Sequence, residues 1–509
     1  MARYPDLGCG RKEERIARVH LKELLDGVEV LSLRGDPAVE VDALTHDSRQ
    51  VRPGACFACV RGATTDGHAH APAAVAAGAV ALLVERELDL GVPEAAVASV
   101  RRALGPAAAR LHGFPSRSMR CLGVTGTNGK TTTTYLLEAI ARAAGERVGV
   151  VGTTGARVDG EALPLAHTTP EATELQDLLA RMRDAEVTTV AMEVSSHALD
   201  QHRIDGTWFA AVGFTNLTHD HLDYHGTLEA YFEAKASLFR RDRTGAAAVS
   251  LDDPHGRDLI DRVRVEELPI VTFGLDASDA DLGAEEVVLD RARSRFVLRD
   301  RRSDEAAPVT LTLLGRFNVV NALAAAAVAL CAGFDLRTVA EGLSSDVVVP
   351  GRFEQIDVSQ PFIALVDYAH TPDALTTALF AGRSLAGSKR LIVVFGCGGD
   401  RDREKRSLMG RAAATGADLA VLTSDNPRGE DPAAIADDVL SGLRAGPAEA
   451  RVELDRRAAI RVALRAAEPG DVVIVAGKGH EAGQTVAGTT TPFDDRAVVR
   501  EELGALSWS

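Results

Sequence analysis

Apolar residues along this chain fall into two patterns. Short apolar runs at 120–124, 187–192, 363–366, 391–395, 419–423 and 472–476 read as buried strands. Between them apolar residues recur at the spacing of one helical face. In TYLLEAIARAAG, Leu136, Leu137, Ile140 and Ala144 line such a face before Gly145 ends the helix. Nearer the start, 47–62 predicts a strand with turns, the Ala-rich 71–78 a helix and 79–85 another strand. Strand and helix alternate along most of the length, which predicts an α/β fold built on largely parallel sheets. Pro106 and Pro115 make 105–118 a predicted linker, and VVVPGR at 347–352 is a second break. The breaks divide the chain into three α/β domains, 1–115 (with 1–20 as an extension), 116–348 and 349–509. No repeat of 20–50 residues and no low-complexity tail interrupts this plan.

Composition narrows the function classes. At roughly 100–200 residues per domain, 509 residues allow about three or four domains. A net charge of −16 argues against broad electrostatic binding to nucleic acid or an anionic membrane, so any phosphate must be held by local devices. Six cysteines make no disulfide framework, and the single CxxC, Cys56 and Cys59, reads as small residues in a strand. The opening MARYPDLGCGRKEER is too polar for a signal peptide, and the apolar stretches 71–84 and 323–333 are too short to span a bilayer. A cytoplasmic, soluble monomer with no membrane insertion is expected.

The strongest chemical signal is GVTGTNGKTTTT, residues 123–134, set between a predicted strand and helix. That context aims backbone N–H groups and the positive helix end at phosphate, with Lys130 as a point charge and the Thr131 hydroxyl placed for magnesium. The generic Walker spacing would need glycine where Val124 stands, so the loop is the shorter Gly126-x-x-Gly129-Lys130-Thr131. Two features support a metal–phosphate centre. The strand 187–192 ends in Glu193, at the edge where a parallel sheet presents a carboxylate beside such a loop. NLTHDHLDYHG, 216–226, gathers His219, His221 and His225 with Asp220, Asp223 and Tyr224. Imidazoles allow a transition metal; beside ATP chemistry, one imidazole on magnesium is the favoured reading. A third feature is Lys235, which shares the apolar face of TLEAYFEAKASLF with Leu228, Tyr231, Phe232, Leu238 and Phe239. An unpartnered buried ammonium is costly, so Lys235 snorkels out, pairs with an acid or is chemically converted, with the first two favoured.

Together GTNGKTTT, EVSSHAL and NLTHDHLDYHG resemble the Mur ligase family, ATP-dependent amide-bond-forming enzymes of bacterial cell-wall synthesis. The resemblance runs from about Leu21 to the C-terminus and takes in THDSRQV, GATTDGHAH, HTTPE, GRFNVVNALAA, PGRFE, VDYAHTPDAL, FGCGGDRDREKR, SDNPRGEDP and AGKGHE. It implies an N-terminal UDP-binding domain, a central P-loop-type ATP-binding domain and a C-terminal Rossmann-like domain that reads an amino acid. It implies that ATP and Mg2+ are used, and that the nucleotide substrate is UDP-N-acetylmuramoyl-L-alanyl-D-glutamate. By the same resemblance Lys235 is carbamylated and, with Thr131, Glu193 and His221, holds magnesium. Gly126, Thr127, Asn128, Gly129, Lys130, Thr131 and Thr132 cradle the ATP phosphates, and Asn321, Arg352 and Asp367 hold its adenine and ribose, with His370 nearby. Ser48, Thr168, Thr169, Ser195, Gln201 and Arg203 are implied for the UDP-substrate. His219 stands where the family pattern has arginine, and the first fifteen or so residues have no counterpart in it.

DNPR, 425–428, resembles the signature of family members that add meso-diaminopimelate. A guanidinium binds the extra carboxylate of that amino acid through two hydrogen bonds, which lysine cannot satisfy. Arg401 and Arg428 are the candidate carboxylate binders, Asn426 and Glu481 take the amine, and Asp425, Pro427 and Gly477 complete the set. The alternatives are a lysine-adding ligase, a folyl-polyglutamate synthetase-like enzyme lacking the THDSR segment, and a catalytically silent nucleotide-binding scaffold.

Overall fold

Val-, Leu- and Ala-rich runs punctuated by glycine and proline assemble into three main sheets in a computed structural model that describes residues 18–62 and 65–506. The opening polar string and two residues of GATTDGHAH lie outside the described residues. The first sheet runs, edge to edge, Val30–Arg34, Glu94–Val97, Ala81–Val84, Ala55–Ala58 and Ala43–Thr45. Its inner strands are parallel and buried on both faces, which is why they read as continuous apolar runs. Cys56 and Cys59 are buried here, and burial pushes both thiols up to about 12, fitting a packing role.

The predicted linker at 105–118 is a correction. The helix Val100–Leu111 continues straight through Gly105 and Pro106, leaving only a connection with a 3-10 turn at Pro115–Arg117. A Cβ on Gly105 would run into the Asp205 carbonyl, and one on Gly206 would meet Gly105. This Gly–Pro pair marks a close approach between the first and second parts of the chain, not a flexible loop.

The central sheet has eleven strands among the described residues. Its parallel core runs Val148–Gly152, Thr189–Glu193, Arg120–Thr125, Ala211–Phe214, Ala247–Ser250 and Ile270–Phe273. Arg120–Thr125 lies in the middle because the chain first winds to one side and then to the other. The carboxyl end of this strand is therefore the switch point at which α/β sheets form ligand crevices. The helix Lys130–Ala143 packs behind it through Leu136, Leu137, Ile140 and Ala141. Ala144 is exposed, since the buried stripe follows the four-residue step from Leu137 to Ala141. Arg316–Cys331, which holds most of the stretch 323–333, is a core helix buried nearly all round. Among the described residues no helix is long and apolar enough to cross a membrane.

The third sheet runs Glu354–Ile356, Ile363–Asp367, Val472–Ala476, Leu391–Phe395, Leu419–Leu422 and Glu449–Val452, parallel except for its first pair. Pro372–Ala386, Glu404–Gly416 and Pro432–Leu443 cover one face, and Arg456–Ala466 and Asp495–Gly504 the other. The carboxyl ends of Ile363–Asp367, Leu391–Phe395 and Val472–Ala476 lead into the loops that meet the central sheet.

Candidate active site

The chain leaves Arg120–Thr125 through a loop in which two glycines are sterically required. A Cβ on Gly126 would collide with Thr215 Oγ1, and one on Gly129, at φ 90°, with Asn321 Oδ1. Asn216 and Thr215 brace the loop: Asn128 N–H donates to Asn216 Oδ1 at 2.9 Å and Thr215 Oγ1 to the Asn128 carbonyl at 2.7 Å. Lys130 begins the helix, and its Nζ curls back to donate to the carbonyls of Gly126 and Thr127, each at 2.8 Å. Burial lowers the Lys130 pKa, opposed by the charges of Glu193 and Asp220. The result is a cationic helix entrance whose donors face a cavity of about 500 Å3.

Thr131 and Glu193 meet on the wall of this cavity. Thr131 Oγ1 donates to Glu193 Oε2 at 3.1 Å, and the almost fully buried Glu193 also accepts from Thr153 N at 2.8 Å and Thr153 Oγ1 at 3.0 Å. Arg352 reaches in from the segment before the third sheet: Nη2 donates to Thr131 Oγ1 at 3.2 Å while the guanidinium lies 4.2 Å from the Tyr368 ring centre. Among the described residues its buried Nε has no hydrogen-bond partner. Asp367 accepts from Phe353 N and Ala369 N, and burial raises its pKa despite the neighbouring Arg352.

The same cavity brings Thr127, Asn128, Gly129, Thr132, His221, Lys235 and Asn321 to its lining. His221 sits in the left-handed region at φ 53°, with its ring centre 4.7 Å from that of His197. Burial pushes its pKa down to about 4, leaving a neutral ring near neutrality. The expectation that Lys235 snorkels or pairs with an acid is corrected. Lys235 is 1% exposed; its Nζ donates to the Gly126 carbonyl at 2.8 Å and lies 4.3 Å from the Tyr231 ring centre. Among the described residues no carboxylate forms an ion pair with it. The helix Leu228–Ala236 buries Tyr231 and Phe232 on the same side and aims the lysine at the phosphate loop instead of at solvent. Among the described residues no three His, Cys, Asp or Glu side chains converge as a metal cage, so the imidazoles of 216–226 do not form the transition-metal site their number allowed.

The residues expected for a UDP-substrate are divided. Thr168 and Ser195 line the large cavity, and Thr168 Oγ1 is 3.2 Å from Thr153 Oγ1. Thr169 is fully buried behind them, donating to the Glu193 carbonyl and accepting from Ser195 N. Arg203 donates to the Thr169 carbonyl at 3.1 Å and to Gln201 Oε1 at 2.7 Å, beside the cavity but outside its lining. Ser48 starts the 3-10 turn Ser48–Gln50 and also lies outside the lining, although His46 Nδ1 comes within 3.2 Å of Thr173 Oγ1 on the central part.

A second cavity, of about 230 Å3, opens beside the first. Arg401, Asp425, Asn426, Arg428, Gly477 and Glu481 line it; Pro427 does not. Arg428 is held at φ 52° by its N–H to the Thr485 carbonyl and donates from Nη1 to the Gly399 carbonyl at 2.7 Å. His219 lines this cavity only, whereas Asp220, His221, Tyr368, His370 and Thr371 line both. That shared wall makes the two spaces neighbours. Thr153, Tyr231, Tyr368 and Lys405 belong to these walls or their bracing but were not among the expected residues. Tyr368 and Lys405 lie within the motifs VDYAHTPDAL and FGCGGDRDREKR, and Tyr231 lies on the apolar face of Lys235, so these three had a sequence signal; Thr153 had none.

Three family models match the chain: "Mur ligase family, catalytic domain" at residues 40–121, "Mur ligase middle domain" at 124–329 and "Mur ligase, glutamate ligase domain" at 351–479. A UDP-N-acetylmuramoyl-L-alanyl-D-glutamate--2,6-diaminopimelate ligase of Geobacillus thermodenitrificans is 45% identical, over 92% of this chain and 95% of the relative. A solved structure of a ligase with that same name is 36% identical, with a TM-score of 0.71 over 96% of this chain and 99% of the other. The Mycobacterium tuberculosis folylpolyglutamate synthase complexed with ADP and AMPPCP, at 20% identity, has a TM-score of 0.60 and covers 74% of this chain and 92% of its own. This last likeness is one of fold.

Proposed function

This chain belongs to the Mur ligase family, and from that premise we propose that it joins meso-diaminopimelate to the D-glutamyl γ-carboxylate of UDP-N-acetylmuramoyl-L-alanyl-D-glutamate at the expense of ATP. The observation that carries the reading is the pair of cavities sharing Asp220, His221, Tyr368 and His370, one floored by the phosphate loop and the other by Arg401, Arg428, Asn426 and Glu481. ATP phosphates fit the entrance of the helix Lys130–Ala143, where Lys130, the positive helix end and the Arg352 guanidinium bring positive charge to the cavity wall. The γ-carboxylate attacks the γ-phosphorus, the bond to ADP breaks and an acyl phosphate forms. The diaminopimelate amine then attacks the acyl carbon, inorganic phosphate leaves and a proton is released. Lys130 neutralises charge on the transferred group, and the shared wall keeps acyl phosphate and amine within reach of each other.

Thr131 and Glu193 are hard oxygen donors of the kind magnesium takes, and His221 offers a neutral ring nitrogen. As an amine Lys235 brings no oxygen; as a carbamate it does, and in this reading it is the fourth ligand. Magnesium held by these residues would supply neutralisation of the charge on the transferring phosphoryl group. Both cavities are lined by this chain's own residues, so the reading calls for no residue from a second subunit.

The test is phosphate release from ATP in the presence of the UDP-substrate. Release is expected with meso-diaminopimelate and to fall by about 10²-fold or more with L-lysine, because lysine leaves the paired arginines without their carboxylate. Equal or greater release with lysine would overturn the specificity, and no release with either would overturn the activity.

A further inference from the structure

Lys478 is fully buried behind two wall residues of the second cavity, and the reaction as described gives it no part. Its neighbours force it inward. Gly477 is at φ 118° and Gly479 at φ 54°. A Cβ on Gly477 would come within 2.6 Å of Asp425 Oδ2, and one on Gly479 within 2.6 Å of the Gly351 carbonyl and 2.8 Å of Tyr368 Cβ. The turn between the two glycines is thus wedged between Asp425 and the segment entering the third sheet, and the lysine stem has only the interior to enter.

There its ammonium meets two residues of the cavity wall. Nζ donates to Asn426 Oδ1 at 3.2 Å and to Glu481 Oε2 at 3.1 Å. Asn426 Oδ1 also accepts from Thr485 N at 3.1 Å, and Asn426 Nδ2 donates to the same Glu481 Oε2 at 2.9 Å. A lysine has donors only, so its contact with Asn426 settles which end of that amide is oxygen and turns the NH2 toward Glu481. Glu481 Oε2 is then fully engaged, and Oε1, which has no partner among the described residues, is the oxygen left for a ligand.

We propose that Lys478 is a positioning residue for the incoming amino acid: by holding Asn426 and Glu481 in one arrangement it presents Glu481 Oε1 to an ammonium group of diaminopimelate. The inference rests on the diaminopimelate reading above. Lys478 lines neither cavity and contacts only wall residues of the second, so its loss is expected to act on one substrate.

The experiment is steady-state kinetics on the full-length enzyme, with KM measured separately for meso-diaminopimelate, ATP and the UDP-substrate. Lys478→Met is expected to raise KM for meso-diaminopimelate about tenfold or more, the scale of lost charge-assisted hydrogen bonds, while the other two KM values stay within about twofold. Lys478→Arg keeps the charge but moves the donors, and an intermediate rise confined to the amino acid is expected. An unchanged KM for meso-diaminopimelate in Lys478→Met, or a parallel rise in all three, would overturn the role. If Lys478→Met does not fold, Lys478→Arg decides by the same two criteria. Wild-type enzyme that uses L-lysine and not meso-diaminopimelate would overturn the substrate reading instead, and the Lys478 test is then run with lysine.

Discussion

Lys235→Ala is expected to lose at least about 10³-fold in turnover, the scale of removing a charged group at a transferring phosphoryl centre, with partial recovery on adding short carboxylic acids. The structure places the amine where neither a solvated nor a salt-bridged lysine belongs. It is 1% exposed, it shares the Gly126 carbonyl with Lys130, and Tyr231 covers its other side. Burial first, and the charge of Lys130 second, drive its pKa well below the ordinary lysine value, which favours the free amine over the ammonium. In the proposed mechanism that amine attacks carbon dioxide at carbon, loses a proton and becomes a carbamate, which supplies the oxygens the amine lacks. The Gly126 carbonyl keeps a donor in the variant, because Lys130 still reaches it. The melting temperature of Lys235→Ala is expected to fall by no more than the lost packing of its buried stem accounts for, so the variant stays folded for the assay. Turnover within about twofold of the wild type would remove Lys235 from the mechanism. Lost activity that no carboxylic acid restores would leave the lysine essential but not as a carbamate.

Some of this was legible in the chain, and the reason differs from residue to residue. Leu391–Phe395 and Val472–Ala476 were read to their ends because strands covered on both faces must be apolar at every position. The phosphate loop was legible because its glycines, lysine and threonines adjoin one another in sequence. The segment at Gly105 and Pro106 was misread because the glycine accommodates the Asp205 carbonyl, a tertiary contact with no local trace. The helical spacing put Lys235 on an apolar face, but only the fold supplies the Gly126 carbonyl and the Tyr231 ring that receive it. Lys478 lies in AGKGHE in plain view. Its inward turn depends on two left-handed glycines and on Asn426 brought beside it from another loop. Residues that act through their own neighbours in sequence could be found; those that act through partners brought in by the sheet could not.

The other large effect concerns stability. Arg456 and Asp495 are both fully buried and join two helices on the outer face of the third sheet. Arg456 donates from Nε to Asp495 Oδ1 at 2.8 Å and from Nη2 to Oδ2 at 2.6 Å, and also reaches the carbonyls of Ala476 and Ser424. Those carbonyls end the strand before Gly477 and open the segment that carries Asp425 and Asn426, so one guanidinium anchors both loops of the amino-acid cavity. Arg456→Met strands a carboxylate in a dry interior and is expected to cost about 3–5 kcal/mol. Adding Asp495→Leu removes the stranded charge, and the double variant is expected to regain at least about 2 kcal/mol of that loss. It still lacks the donors to Ala476 and Ser424, so its KM for the amino acid should remain raised while its KM for ATP does not. Urea unfolding monitored by circular dichroism reads the first part and steady-state kinetics the second. If the single and double variants unfold at the same urea concentration, the cost comes from lost packing and the buried charge is not its source. A double variant with a wild-type KM for the amino acid would mean that the loops of the cavity hold their places without the guanidinium between them.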